Sequence, residues 1–299
     1  MLPLALSYHA PMTTDVNSMA VIGAGTMGSG IALTAAISGI HAHQIDISHE
    51  QLDKAKKYHQ KTLARNVEKQ RMTQAEADAA VKRITYHPDM SDAKAADWAI
   101  EAAVENPTVK KRLFQEMAET FGDDAVLATN TSSISITEIA AATGPRAPRV
   151  IGMHFFNPVP VMKLVEVIKG LATSKDTLDR TIALAQRMGK TPVPANDRAG
   201  FVSNRVLMPM INEAFYAWME GVALPGDIDE IMKLGMAHPM GPLRLADFIG
   251  LDICHDIMMV LYRELGDPKY FPCPLLRQLV TAGRLGDKTG RGVYEYPQK

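Results

Sequence analysis

The sequence is poor in cysteine. Only Cys254 and Cys273 occur among 299 residues, and they form no CxxC pair. That excludes a disulfide framework and a cysteine-rich zinc site, and it agrees with a reducing, cytoplasmic compartment. No apolar run approaches the ~18 residues of a membrane span. Neither sign of charge dominates, since 32 basic residues face 33 acidic ones for a formal net charge of -1. Nucleic acid, a bulk polyanion, calls for a large positive excess and is therefore disfavoured as a partner. HExxH and GxSxG are missing, and Gly286-Asp287-Lys288-Thr289 lacks the Gly-Lys-Ser/Thr adjacency of a P-loop. Residues 1–18 hold no Lys or Arg, so they lack the charged start of a secretory signal and the arginines of a transit peptide. They read as a disordered leader, or as an over-long start with Met12 or Met19 nearer the true beginning.

What is there is an ordinary globular composition, 46% hydrophobic and 22% charged, on a chain long enough for two domains. Short β-branched and apolar runs predict strands at 19–23, 41–46, 97–102, 125–129, 150–155, 163–168 and 190–194. Helical patterns lie between them. One runs from Met27 to Ser38, the long polar segment 48–83 forms a helical insertion, Pro107 opens another helix, and Ser135 with Glu138 fits a capping box. Such alternation implies a Rossmann-type, mostly parallel sheet with helices on both faces. The Pro- and Gly-rich stretch 191–200 marks a boundary. Beyond it only helices are expected: Phe201 to Glu220, one capped by Asp227 and Glu230, one opened by Pro242, the run 252–265, and one opened by Pro274. The expected division is a leader at 1–18, an α/β domain at 19–196 and an all-α C-terminal domain at 197–299.

Gly23-Ala24-Gly25-Thr26-Met27-Gly28 matches GxGxxG. Its place after a strand and at the start of a helix makes it informative. Gly23 permits a tight turn, Gly25 lets a pyrophosphate approach the helix N-terminus, and Gly28 lets helix and strand pack closely. Asp46 ends the next strand, 18 residues after Gly28. An acid there accepts from a ribose diol and repels a 2′-phosphate, which favours NAD over NADP. The competing reading is a structural turn without a nucleotide.

Two further features have both a functional and a plain reading. Lys54, Lys57, Lys61, Arg65 and Lys69 are spaced to share one helix face, opposite Leu52, Ala55, His59, Leu63 and Val67. This is either a solvated surface or a landing strip for a phosphorylated ligand. His154 ends an apolar strand, and Glu166 sits inside another, in Lys163-Leu164-Val165-Glu166-Val167-Ile168. A buried acid needs a partner. A histidine held by a carboxylate is set up as a general base, although a core histidine with a structural hydrogen bond would have the same spacing.

These residues resemble a known family. The runs GAGTMGSGIA, Glu105-Asn106-Pro107, Asn130-Thr131-Ser132-Ser133, His154-Phe155-Phe156-Asn157-Pro158 through Glu166, and Gly200-Phe201-Val202-Ser203-Asn204-Arg205 are similar to those of the short-chain L-3-hydroxyacyl-CoA dehydrogenases, most nearly the bacterial 3-hydroxybutyryl-CoA branch. The resemblance implies NAD-linked interconversion of (S)-3-hydroxyacyl-CoA and 3-oxoacyl-CoA. It implies His154 as general base and acid and Glu166 as the group that orients it. Ser132 would bond the substrate oxygen near the nicotinamide, and Asn204 the reacting oxygen or the thioester carbonyl. It places Asp46, Glu105, Lys110, Ser132, Asn157 and Lys288 on NAD, and Lys54 and Lys61 on the phosphates of coenzyme A. It also implies a homodimer formed through the helical domain. The alternatives are an NAD dehydrogenase of the same fold acting on a free hydroxy acid or sugar acid, and a non-catalytic NAD-binding module.

Overall fold

The computed structural model describes residues 16–297. The chain forms two compact units that meet between Asp197 and Arg198. Most of the expected leader lies outside the described residues. Its last three residues are part of the fold: Val16 is buried, and the amides of Asn17 and Ser18 donate to Asp97 at 2.8 and 2.9 Å.

In the first unit the elements are β1 (Ser18–Ile22), α1 (Thr26–Ile37), β2 (His41–Ile45), α2 (His49–Glu68), α3 (Gln74–Lys82), β3 (Ile84–His87), β4 (Trp98–Glu101), α4 (Pro107–Thr120), β5 (Val126–Thr129), α5 (Ile136–Ala141), β6 (Val150–Phe155), β7 (Leu164–Lys169), α6 (Lys175–Arg187) and β8 (Thr191–Asn196). The eight strands form one sheet in the order β3-β2-β1-β4-β5-β6-β7-β8. All neighbouring pairs are parallel except β6 and β7. β4, β5 and β6 are buried along their whole length, which is why they are apolar rather than alternating in sequence. At the outer edge, Thr191 and Asp197 donate their amides inward to Lys163 and Lys169. Pro192 and Pro194 therefore turn their donor-less nitrogens outward, and the edge offers fewer donors to another strand.

Three sequence expectations need correction here. The 48–83 helix is two helices: Gln70 takes φ 55°, and Thr73 with Glu76 forms a full capping box that starts α3. The edge strand β3 was not expected, because it has only four residues and only Ile84 is buried. The box at Ser135 is half made. Ser135 caps the Glu138 amide at 3.2 Å, but the Glu138 carboxylate is taken by Lys111 at 2.8 Å.

The second unit contains α7 (Ser203–Met219), α8 (Pro225–Met236), α9 (Pro242–Ile249), α10 (Leu251–Leu265) and α11 (Pro274–Thr281). α8 begins at Pro225 without a side-chain cap, so Asp227 lies in its first turn and Glu230 pairs with Lys233 instead of capping. Its core is built on Met208, Ile211, Phe215, Leu243, Leu261 and Leu276. Two buried acids organise it. Asp229 caps α9 through the amides of Leu243 and Arg244, each at 2.8 Å. Asp247 takes the amides of Val293 and Tyr294 and the Tyr296 hydroxyl, which pins the C-terminal segment. Among the described residues no helix is long and apolar enough to cross a membrane.

Candidate active site

β6 and β7 run antiparallel with His154 directly opposite Glu166. Both side chains are buried, at 8% and 3% exposure. His154 Nδ1 lies 2.8 Å from Glu166 Oε2. An ionised carboxylate can only accept, so Nδ1 carries the proton and Nε2 the basic lone pair. The Phe156 ring stands 4.6 Å from the imidazole, centroid to centroid. A tilted apolar ring on one side and a carboxylate behind fix the imidazole in one orientation, as a group that moves protons requires.

The second cluster surrounds Glu105. Its Oε1 accepts from Thr131 Oγ1 at 2.6 Å, the Ser132 amide at 2.9 Å, Ser132 Oγ at 3.2 Å and Ser133 Oγ at 3.1 Å. Its Oε2 faces Lys110 Nζ at 3.3 Å. Burial pushes the Glu105 carboxyl up, but the Lys110 ammonium and the hydrogen bonds from Thr131 and Ser132 outweigh it, so the net shift is downward. Lys110 is fully enclosed, 1% exposed, and its second partner is the equally buried Glu101 at 2.6 Å. Glu101 also takes the Ala103 amide at 2.6 Å and Thr129 Oγ1 at 2.7 Å. A chain of alternating charge thus runs from the end of β4 to the loop of Ser132.

The glycine loop separates the demands of the fold from those of a ligand. Gly23 takes φ 104°, and a Cβ there would stand 2.5 Å from the Ala102 carbonyl oxygen. A Cβ on Gly28 would meet the Gly23 oxygen at 1.8 Å. These two are required by packing. Gly25 has φ -72° and nothing within 4 Å of its Cβ position. Nothing inside the protein demands glycine there, whereas a pyrophosphate drawn to the N-terminus of α1 does. No side chain caps that terminus. Asp46 accepts from the amides of Ala24 and Ser48 at 2.8 and 2.9 Å, which aims its carboxylate at the loop. A cavity of about 480 Å³ adjoins it, lined by Gly23, Asp46, Ile47, Pro88, Val109 and Arg112 among others. Its size, the apolar side chains of Ile22, Ile45, Ile47 and Val109 and the Asp46 carboxylate fit the adenosine half of NAD, while Asp89, Arg112, Glu116 and Glu119 make much of the remaining lining polar.

The other expected site residues are more dispersed. Ala24 is buried and Thr26 exposed in the loop, with Met27 half-buried behind it. Asn157 is exposed on the connection between β6 and β7. Asn204, in the first turn of α7, and Lys288 belong to the second unit, where Asn204 is buried and Lys288 pairs with Asp252 at 2.6 Å. Lys54, Lys57, Lys61 and Arg65 are exposed on α2 and Lys69 is exposed just past its end, while Leu52, Ala55, His59 and Leu63 are buried beneath them. Lys54 pairs with Glu50 at 2.7 Å. Glu101 was not foreseen, although an acid ending the run Trp98-Ala99-Ile100 is the same signal that singles out Glu166. The walls at Pro88 and Arg112 had no such signal, because β3 and α4 come together only in the fold. Among the described residues no group of three or more His, Cys, Asp or Glu could hold a metal ion.

Residues 18–198 match the family model described as 3-hydroxyacyl-CoA dehydrogenase, NAD binding domain, and residues 200–296 match its C-terminal domain. The chain is 55% identical over 285 residues to the "Probable 3-hydroxybutyryl-CoA dehydrogenase" of Bacillus subtilis, covering 95% of this chain and 99% of that one. It is 48% identical over 278 residues to the 3-hydroxybutyryl-CoA dehydrogenase of Clostridioides difficile, covering 93% and 99%. The crystal structure of (S)-3-hydroxybutyryl-CoA dehydrogenase from Ralstonia eutropha matches with a TM-score of 0.92 and 48% identity, over 95% of this chain and 100% of that one. The chain belongs to the NAD-binding 3-hydroxyacyl-CoA dehydrogenase family.

Proposed function

We propose that the protein interconverts (S)-3-hydroxyacyl-CoA and 3-oxoacyl-CoA with NAD, on short chains of the 3-hydroxybutyryl class, and that His154 is its general base and acid. The observation that carries this is the buried His154–Glu166 hydrogen bond of 2.8 Å at the ligand-facing end of β6. NAD, when bound, supplies the hydride acceptor. In oxidation, His154 Nε2 takes the 3-hydroxyl proton while Glu166 stabilises the imidazolium that forms. In reduction, the same nitrogen returns the proton to the 3-oxo oxygen. Ser132 is anchored by its amide on Glu105; its hydroxyl proton, given to Glu105 at 3.2 Å in this structure, turns to the oxygen on which charge develops when substrate is bound, and Asn204 donates to the same oxygen. Asp46, Glu105, Lys110, Asn157 and Lys288 serve the cofactor. Lys110 pairs with Glu105 at 3.3 Å and would act on the cofactor through that carboxylate. Lys54 and Lys61 on the exposed basic face of α2 hold the coenzyme A phosphates.

The exposed apolar side chains Leu224, Ile231, Leu234 and Met236 around α8 support a homodimer formed through the helical domain. The two buried, unpaired cysteines support a reducing, cytoplasmic setting. The test follows NADH absorbance with acetoacetyl-CoA beside free acetoacetate and sugar acids. Turnover of the thioester is expected. Activity on the free acids alone would overturn the coenzyme A assignment, and NAD binding without any turnover would leave only a binding module.

A further inference from the structure

Residues 156–163 connect β6 to β7 and so join the strands that carry His154 and Glu166; Asn157 lies on this connection. The turn within it is fixed from two sides. From one side comes Lys190, just before β8. Its ammonium donates to the carbonyl oxygens of Val159 and of Met162, the latter at 2.9 Å. Lys190 is only 8% exposed, and burial alone shifts its pKa, downward, with no carboxylate contributing. A buried ammonium without an acid is costly, and an apolar side chain of equal volume would pack there at less expense. What the apolar side chain could not do is bridge two inward-turned carbonyls. From the other side comes α1. Val159 is buried against Gly30, where a Cβ would stand 2.8 Å from Val159 Cβ. The turn therefore rests on the helix that opens at the glycine loop, and Lys190 holds it down on that seat.

We propose that Lys190 is a positioning residue for the reaction: by clamping the 159–162 turn onto Gly30, it sets Asn157 and the His154–Glu166 hairpin at a fixed height over α1. This rests on the dehydrogenase activity proposed above. Base and cofactor-binding helix would be registered against one another through this single turn. A displacement on the order of 1 Å at such a site costs ~10²-fold in rate.

The test compares Lys190→Met, which keeps the stem and loses the donors, with Gly30→Ala, which pushes the same turn from the opposite side. For Lys190→Met, kcat for acetoacetyl-CoA reduction is expected to fall about 10-fold or more while KM for the thioester stays within about 2-fold. The isotope effect from NADH deuterated at the transferred position should rise, because the chemical step has become slower. Gly30→Ala should show the same split, and the double variant should lose less than the product of the two losses, since both act through one turn. A Lys190→Met enzyme with a lowered melting temperature but wild-type kcat and isotope effect would overturn the proposal and leave Lys190 a staple of the fold. Should Lys190→Met fail to fold, Gly30→Ala decides alone, and an unchanged kcat and isotope effect there overturns it equally. A wild type that does not turn over acetoacetyl-CoA removes the dehydrogenase reading and this proposal with it.

Discussion

Glu101 and Glu166 are the same residue in nearly the same setting, yet they are fitted for different work. Each ends or interrupts an apolar strand, and each is buried. Glu166 faces an imidazole at 2.8 Å, and Glu101 faces the Lys110 ammonium at 2.6 Å. The partner decides the outcome. An imidazole has two ring nitrogens, so with Nδ1 on the carboxylate its Nε2 can accept a proton and release it. An ammonium has donors and no lone pair, so its pair with the carboxylates can only fix geometry. The surroundings agree, since Glu101 is also held by Ala103 and Thr129 and has little freedom to move. A buried acid on a strand therefore marks a place where the fold has put a charge, and the cation opposite it tells what the charge is for.

The comparison can be broken first at the imidazole. His154→Ala should lower turnover by about 10³- to 10⁴-fold, the upper range for a lost general base, with NAD affinity nearly unchanged. Steady-state kinetics and fluorescence titration of NADH measure the two quantities. Near-normal turnover would show that the His154–Glu166 pair is structural, and the contrast with Glu101 would disappear.

The ammonium side comes next. Lys110→Met leaves Glu101 buried without its cation and takes from the more exposed Glu105 its second anchor. It should destabilise the protein by about 3–5 kcal/mol, the cost of breaking a buried pair. Urea unfolding reads this directly. A loss below about 1 kcal/mol would mean that water reaches the cluster, and that the carboxylates are not held as described.

A matched pair of substitutions sharpens the division of labour. Glu166→Gln keeps the shape and loses the charge that stabilises the imidazolium, so kcat should fall by about 10²-fold with little change in melting temperature. Glu101→Gln should show the reverse emphasis, a lower melting temperature and a smaller loss of kcat, because it touches the reaction only through Lys110 and Glu105. Equal profiles for the two variants would contradict the distinction.

How legible all this was follows from how local each signal is. The strands β1, β4, β5 and β6 were plain because they are buried on both faces and read as unbroken apolar runs. The glycine loop and Asp46 were plain because their order and spacing belong to one βαβ unit. His154 and Glu166 could be suspected as partners, but their contact depends on the β6–β7 register, which spacing does not encode. β3 was lost because a four-residue edge strand needs little apolar character. Lys190 was illegible: a lysine between Gly189 and Thr191 looks like any surface residue until the 159–162 turn is folded over it.

His59 offers the smallest effect and a third kind of partner. It lies on the buried face of α2, 1% exposed, beneath the basic stripe. Its Nε2 faces the Ser29 carbonyl oxygen at 2.8 Å, and since a carbonyl only accepts, that nitrogen carries the proton. Nδ1 then accepts from the Tyr86 hydroxyl at 2.8 Å. No acid is offered, and burial pushes the imidazole pKa down to about 4. In the unfolded chain it returns to about 6.5. Between those values the unfolded chain binds a proton that the folded one refuses, so stability falls as pH drops through 6.5 and levels off below about 4. From pH 7 to pH 5 the loss should be about 2 kcal/mol. His59→Gln keeps a donor for Ser29 but does not titrate, so its stability should fall less steeply over that range. Equal slopes for wild type and variant would show that the imidazole charges freely in the folded state. The hydrogen bond to α1 could then not be what anchors the basic helix above it.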